Sequence, residues 1–138
     1  MKYFAVLAAL ATTAFAQGIS INAPTANSSV SPGQSITVEI QKPVFIQAEI
    51  DVALVLSMNP CPSSSCDTNA LGDILYNGPF NPQPGPGGLL QNFTVEVPSS
   101  YTHGGLVVLI ATYFELLGLS ETPEIFKTNV PLRVVPAP

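Results

Sequence analysis

Apolar and polar residues alternate with a period of two in several short runs along the chain, and turn residues separate the runs. In Ser35-Ile36-Thr37-Val38-Glu39-Ile40, Ile36, Val38 and Ile40 share one face while Thr37 and Glu39 share the other, the pattern of a half-buried strand. Phe93, Val95 and Val97 repeat it against Thr94 and Glu96. Pro98 ends that strand because it has no amide hydrogen for the ladder. Two further runs, Val52 to Leu56 and Leu106 to Phe114, are apolar on both faces, which predicts central strands packed on both sides or partly against another element. The β-branched and aromatic content of the second run, bracketed by Gly104-Gly105 and Gly118, favours strand over helix. Adding Ile19 to Asn22, Asp73 to Tyr76 and Asn129 to Val135 brings the expectation to about seven strands. With no convincing amphipathic helix, this predicts an all-β, immunoglobulin-like antiparallel β-sandwich.

The connections carry turn chemistry. Ser31-Pro32-Gly33 and Thr102-His103-Gly104-Gly105 read as turns. Tyr76-Asn77-Gly78-Pro79 reads as another, with Gly78 free to take a positive φ and Pro79 restricting its neighbour. Asn81 to Gly88, rich in proline and glycine, is expected to be an exposed loop without regular structure. No internal repeat or linker divides the chain.

Composition narrows the setting. Met1-Lys2, the apolar run Phe4 to Ala11 and the small-x-small site Ala14-Phe15-Ala16 have the plan of a secretory signal peptide over 1-16. A single domain is expected over 17-138. The apolar run is shorter than the ~20 residues a bilayer span needs, and the C-terminus lacks the long hydrophobic tail of a lipid-anchor signal. These features predict a secreted, extracellular protein with no membrane span. Beyond the leader, Lys42, Lys127 and Arg133 stand against nine acidic residues. A net charge of this sign disfavours nucleic acid and anionic membrane, both of which are bound through basic side chains. Cys61 and Cys66, the only cysteines, are expected to form a local disulfide in an oxidising compartment. Zinc would need further ligands.

Candidate chemistry is sparse. His103, the only histidine, falls in a turn and reads as a solvent-exposed side chain. A copper oxygenase on such a fold would need a histidine at the mature N-terminus, where this chain has Gln17 or Gly18. A glycosidase needs two facing carboxylates ~5 to 10 Å apart, and nothing in the spacing places Asp51, Glu121 or Glu124 opposite a partner. Asp51 reads as a strand-entry residue that caps or stays exposed, and Glu121 and Glu124 as a solvated loop. The expectation is therefore no catalytic group and no cofactor. Asn27-Ser28-Ser29 and Asn92-Phe93-Thr94 match the N-glycosylation sequon.

The arrangement of several short motifs carries a resemblance. Phe45-Ile46-Gln47 with Asp51-Val52-Ala53, Leu71-Gly72 with Tyr76-Asn77-Gly78-Pro79, the strand Phe93 to Pro98, and Phe114-Glu115-Leu116-Leu117-Gly118 with Pro123 occur in the order and spacing of the necrosis-inducing secreted protein family of fungal effectors. The chain resembles that family from about Ile21 to Val135. The resemblance implies a small, secreted, non-enzymatic binding protein that suppresses plant immune signalling by binding receptor-associated kinases; action outside cells and action after uptake into host cells both stay open. It leaves the oligomeric state open. Loops carry function more often than core positions. That points to Tyr76, Asn77, Gly78, Pro79, Leu117 and Leu119 as candidate partner contacts. The rival reading is an extracellular cell-wall or carbohydrate-binding module, which would require exposed aromatic platforms. Tryptophan is absent.

Overall fold

The structure, a computed structural model, describes residues 18–136. The expected leader over 1-16 lies outside the described residues. Among the described residues nine strands and no helix follow in chain order: β1 (Ser20–Ala23), β2 (Ser29–Val30), β3 (Ser35–Lys42), β4 (Glu49–Pro60), β5 (Asp73–Gly78), β6 (Gln83–Gly85), β7 (Gly88–Glu96), β8 (Gly105–Leu117) and β9 (Thr122–Val134). They form a four-stranded sheet, β1-β3-β7-β6, packed on a five-stranded sheet, β2-β9-β8-β4-β5. The expected β-sandwich is present, with two short strands more than the alternation announced. Every pairing is antiparallel except β2 with β9. No helix among the described residues is long and apolar enough to cross a membrane.

Alternation decides which residues build the core. Ile36, Val38 and Ile40 of β3 and Phe93 and Val95 of β7 meet Leu54, Leu56 and Met58 of β4 and Leu109, Ala111 and Tyr113 of β8. Taking these atoms out of water supplies the main driving force for closing the two sheets. The central strands β4 and β8 pair from Glu49↔Leu117 to Pro60↔Val107. As their two-sided apolar sequence predicts, Val108 and Ile110 are buried on the face turned away from this core.

Three local expectations are corrected. Asn81 to Gly88 is not free of regular structure: β6 pairs back on β7 from Gln83↔Leu90 to Gly85↔Gly88, and Gly87, at φ 79°, makes the tight reversal. Tyr76, Asn77 and Gly78 belong to β5, with Gly78 opposite Leu54. Gly78 therefore occupies an extended strand end instead of a left-handed turn position. Glu124 lies in β9 opposite Glu115, so only Glu121 remains in the turn after Gly118.

Candidate functional site

One end of the sandwich is built around a buried cation. The inward phase of β3 runs Ile36, Val38, Ile40 and then Lys42, whose side chain therefore enters the core and is 1% exposed. A lysine there requires partners, since an isolated buried charge is prohibitively costly. Three carboxylates from the opposite sheet supply them. Lys42 Nζ is 3.0 Å from Glu49 Oε1 and 3.5 Å from Glu115 Oε2, and it bonds Asp51 Oδ1 as well. The Tyr113 hydroxyl, whose one proton serves two acceptors, lies between Asp51 Oδ1 and Glu115 Oε2, 2.5 Å from the latter. Lys42 Nζ also sits 5.3 Å from the centre of the Tyr113 ring, within cation–π range.

A β-bulge makes this geometry possible. Asp51 pairs with Glu115, but Ala53 pairs with Phe114, leaving Val52 as an extra residue. Above the bulge the even positions Leu54, Leu56 and Met58 point inward; below it the odd positions Glu49 and Asp51 do. Were the same sequence to run on as a regular strand with no bulge, a period of two would send Ile50 and Val52 into the core instead. Both are exposed. The expectation that Asp51 caps the strand or faces solvent is thereby corrected.

Charge and burial act together on the titrations. Burial alone pulls the Lys42 ammonium down, but hydrogen bonds and charge attraction from Asp51 and Glu49 outweigh it and hold the group above its ordinary value. Burial, then the bonds to Asp51 and Glu115, push the Tyr113 phenol far up. Tyr101, near the other end of β4, is also raised, first by burial and then by Asp73. Its hydroxyl is 2.6 Å from Asp73 Oδ2 and 2.9 Å from the Met58 carbonyl oxygen.

The ion cluster clamps the roots of two neighbouring loops. Lys42 immediately precedes the 43–48 loop and Glu49 immediately follows it, so their pair closes that loop at its base. Glu115 lies at the root of the β8–β9 turn. The two loops touch: the Gly118 amide donates to the Ala48 carbonyl at 2.8 Å, and a Cβ on Gly118 would stand 2.9 Å from Gln47 Nε2. From this fixed base Ile46 and Leu119 project into solvent, 108% and 99% exposed, with Val44 and Ile50 also exposed beside them. Isolated surface hydrophobics need no explanation, but a group of large ones on adjoining loops is the kind of feature that marks an interaction site.

Of the sequence-predicted contacts, Leu119 heads this end and Leu117 is half-buried beneath it. Tyr76, Asn77, Gly78 and Pro79 lie apart from it, on the edge strand β5 and just beyond. Tyr76 is half-buried, its ring 4.6 Å from that of Phe93 and its hydroxyl donating to the Pro79 carbonyl at 2.6 Å. Asn77 and Pro79 are exposed. Asn27, at φ 63° in the turn before β2, and Asn92, on the outward face of β7, are both exposed. Cys61 and Cys66 are joined in a disulfide.

Lys42, Glu49 and the coupled role of Glu115 were missed from the sequence. The signal was there for Lys42, two residues beyond the last apolar position of an alternating strand. For Glu49 it was hidden by the bulge.

His103 is exposed and borders a cleft of about 470 Å³ at the opposite end, together with Pro60, Pro62, Tyr101 and Leu106. No carboxylate lines that cleft. Asp51 and Glu115 do face each other, but under a lysine and a tyrosine. Among the described residues no group of three or more His, Cys, Asp or Glu side chains is arranged to hold a metal ion. Among the described residues every phenylalanine and tyrosine side chain is buried or half-buried.

These features define an all-β sandwich whose most distinctive surface is an apolar end held on a buried ion cluster. The Nis1 family model matches residues 14–133, and the chain belongs to that family, the necrosis-inducing secreted protein family of fungal effectors to which its motifs point. Comparison with curated proteins gives no match. Among solved structures the chain is similar to a variant of superoxide reductase (neelaredoxin) from Ignicoccus hospitalis, with a TM-score of 0.54 and 15% identity over 86% of this chain and 81% of that one. A second superoxide reductase structure from that organism gives 0.47 and 14% identity over 83% and 80%. At such identity the first likeness shows a shared sandwich and nothing about chemistry.

Proposed function

We propose that the protein is a secreted, effector-like binding protein that works without catalysis and docks on a host protein through the end of the sandwich bearing Val44, Ile46, Ile50 and Leu119. The observation that carries this reading is the near-complete exposure of Ile46 and Leu119 on loops whose roots are tied to a buried ion cluster. An apolar group held ready in its binding position loses little conformational entropy on association. Family membership supports the effector class and, by the resemblance set out above, a plant receptor-associated kinase as the partner. The leader-like N-terminal sequence, the acidic composition and the disulfide all suit release from the cell.

The direct test is binding of the secreted chain to a purified receptor-associated kinase domain, alongside the chitin-triggered oxidative burst in leaves expressing it. Ile46→Asp with Leu119→Asp is expected to abolish binding and restore the burst at unchanged thermal stability. Retention of both activities by that double variant would remove the assigned surface. Absence of binding and of burst suppression by the unmodified chain would remove the partner class.

A further inference from the structure

We infer that the surface received by this end is an apolar protein pocket bordered by lysine and arginine side chains. The inference rests on the docking role proposed above and adds the partner's chemistry.

Charge is its source. One cation, Lys42, faces three carboxylates in the cluster, Glu49, Asp51 and Glu115, so two formal negative charges remain uncompensated just beneath the loops. Glu121 in the β8–β9 turn and Glu124 near the start of β9, both exposed, add two more. Glu121 lies two residues after Leu119 in the same turn, at φ 51°. Lys127 and Arg133 are the only exposed cations described. Lys127 sits opposite Thr112, partway along β9, and Arg133 sits opposite Leu106 at the far end. The apolar side chains thus rise from a locally negative surface that carries no exposed cation of its own. Such a field attracts basic partners and repels acidic ones, and it acts mainly on encounter rate and specificity. It equally opposes insertion of Ile46 and Leu119 into an anionic bilayer.

Two synthetic amphipathic helical peptides serve as probes, one with a leucine face flanked by lysine and arginine, the other identical but with glutamate at those positions. Chemical-shift mapping on the secreted chain should place the basic peptide on residues 44–50 and 118–124. Affinity should fall on the order of tenfold between low and physiological salt. Glu121→Lys with Glu124→Lys should weaken the basic peptide by a similar factor and strengthen the acidic one, with thermal midpoints confirming intact folds. Equal binding of both peptides, or mapping to another face, would overturn the inference, as would recruitment to neutral phosphatidylcholine vesicles in preference to the basic peptide. Loss of binding in Ile46→Asp with Leu119→Asp but indifference to the charge reversals would overturn the basic rim while leaving the docking end standing. Failure of that docking end is read separately, in the kinase-domain assay.

Discussion

Lys42 sets the behaviour of this molecule at the residue scale because its surroundings determine what can replace it. Removing one member of a buried ion cluster leaves the others desolvated and unpaired, a change that typically costs ~3–5 kcal/mol. Lys42→Met, which preserves much of the volume, is therefore expected to lower unfolding stability by about that amount in urea titrations, because three carboxylates lose their only cation. The titration of the same cluster, together with that of Tyr101 near the other end of β4, predicts the pH response. Lys42, Tyr113 and Tyr101 are all raised above their ordinary values of 10.5 and 10.0, so the folded chain keeps protons that the unfolded chain releases near pH 10. Their stabilisation is complete below about pH 10 and is lost as the pH climbs beyond it. Urea midpoints should hold steady from pH 7 to 9 on account of these groups and then fall. The phenolate absorbance of Tyr113 should appear only as the protein unfolds, and its appearance in the folded protein would contradict the assignment.

At the scale of elements, the bulge at Val52 and the turn at Gly118 decide where the apolar end sits. Deleting Val52 removes the unpaired residue and joins Asp51 to Ala53, which leaves Asp51 and Glu49 in the inward phase of Leu54 and in their register with β8. The expected result is a retained cluster, with a much smaller drop in thermal midpoint than Lys42→Met. Gly118 adopts φ 73°, where a side chain costs ~1–2 kcal/mol. Gly118→Ala should show that cost and weaken partner binding through displacement of Gln47 and the neighbouring loop. The Cys61–Cys66 bridge closes a very short loop, so a Cys61→Ser, Cys66→Ser variant should lose less than the ~3 kcal/mol assigned to a 15-residue loop. Strand phase made most of these elements legible beforehand. The regular alternation of β3 and β7 and the two-sided apolar character of β4 and β8 have direct counterparts in burial. β2 and β6, at two and three residues, are too short to show a period. The strand character of Tyr76 to Gly78 was masked by an Asn-Gly-Pro sequence whose local preference is for a turn, which pairing with β4 overrides.

On the scale of the whole molecule the two outer faces differ. The four-stranded sheet exposes Thr37, Asn92, Thr94 and Glu96, a polar surface that also carries a sequon. Secreted protein should lose the mass of a glycan at Asn92 on enzymatic deglycosylation, and Asn92→Gln should remove that loss without affecting partner binding, since the docking end belongs to the loops beyond β3, β4, β8 and β9. An unchanged mass in the unmodified chain would show the site unused. On the proposed function, the acidic end is the side for binding and the polar sheet face the side for solubility.

The sequence alone determined that this chain is a β-sandwich and belongs among secreted effectors, because strand periodicity, turn residues and motif order are properties of neighbouring positions. It also named Leu119 as a candidate contact, and the structure leaves that side chain exposed. Tertiary structure decided that Lys42, Glu49, Asp51, Tyr113 and Glu115 form one cluster, since they come from three strands in two sheets and meet only when the sandwich closes over a bulge. It likewise separated Tyr76 to Pro79 from Leu119 and set Ile46 beside it, because proximity between loops at one end depends on how the strands are ordered, which no local pattern encodes.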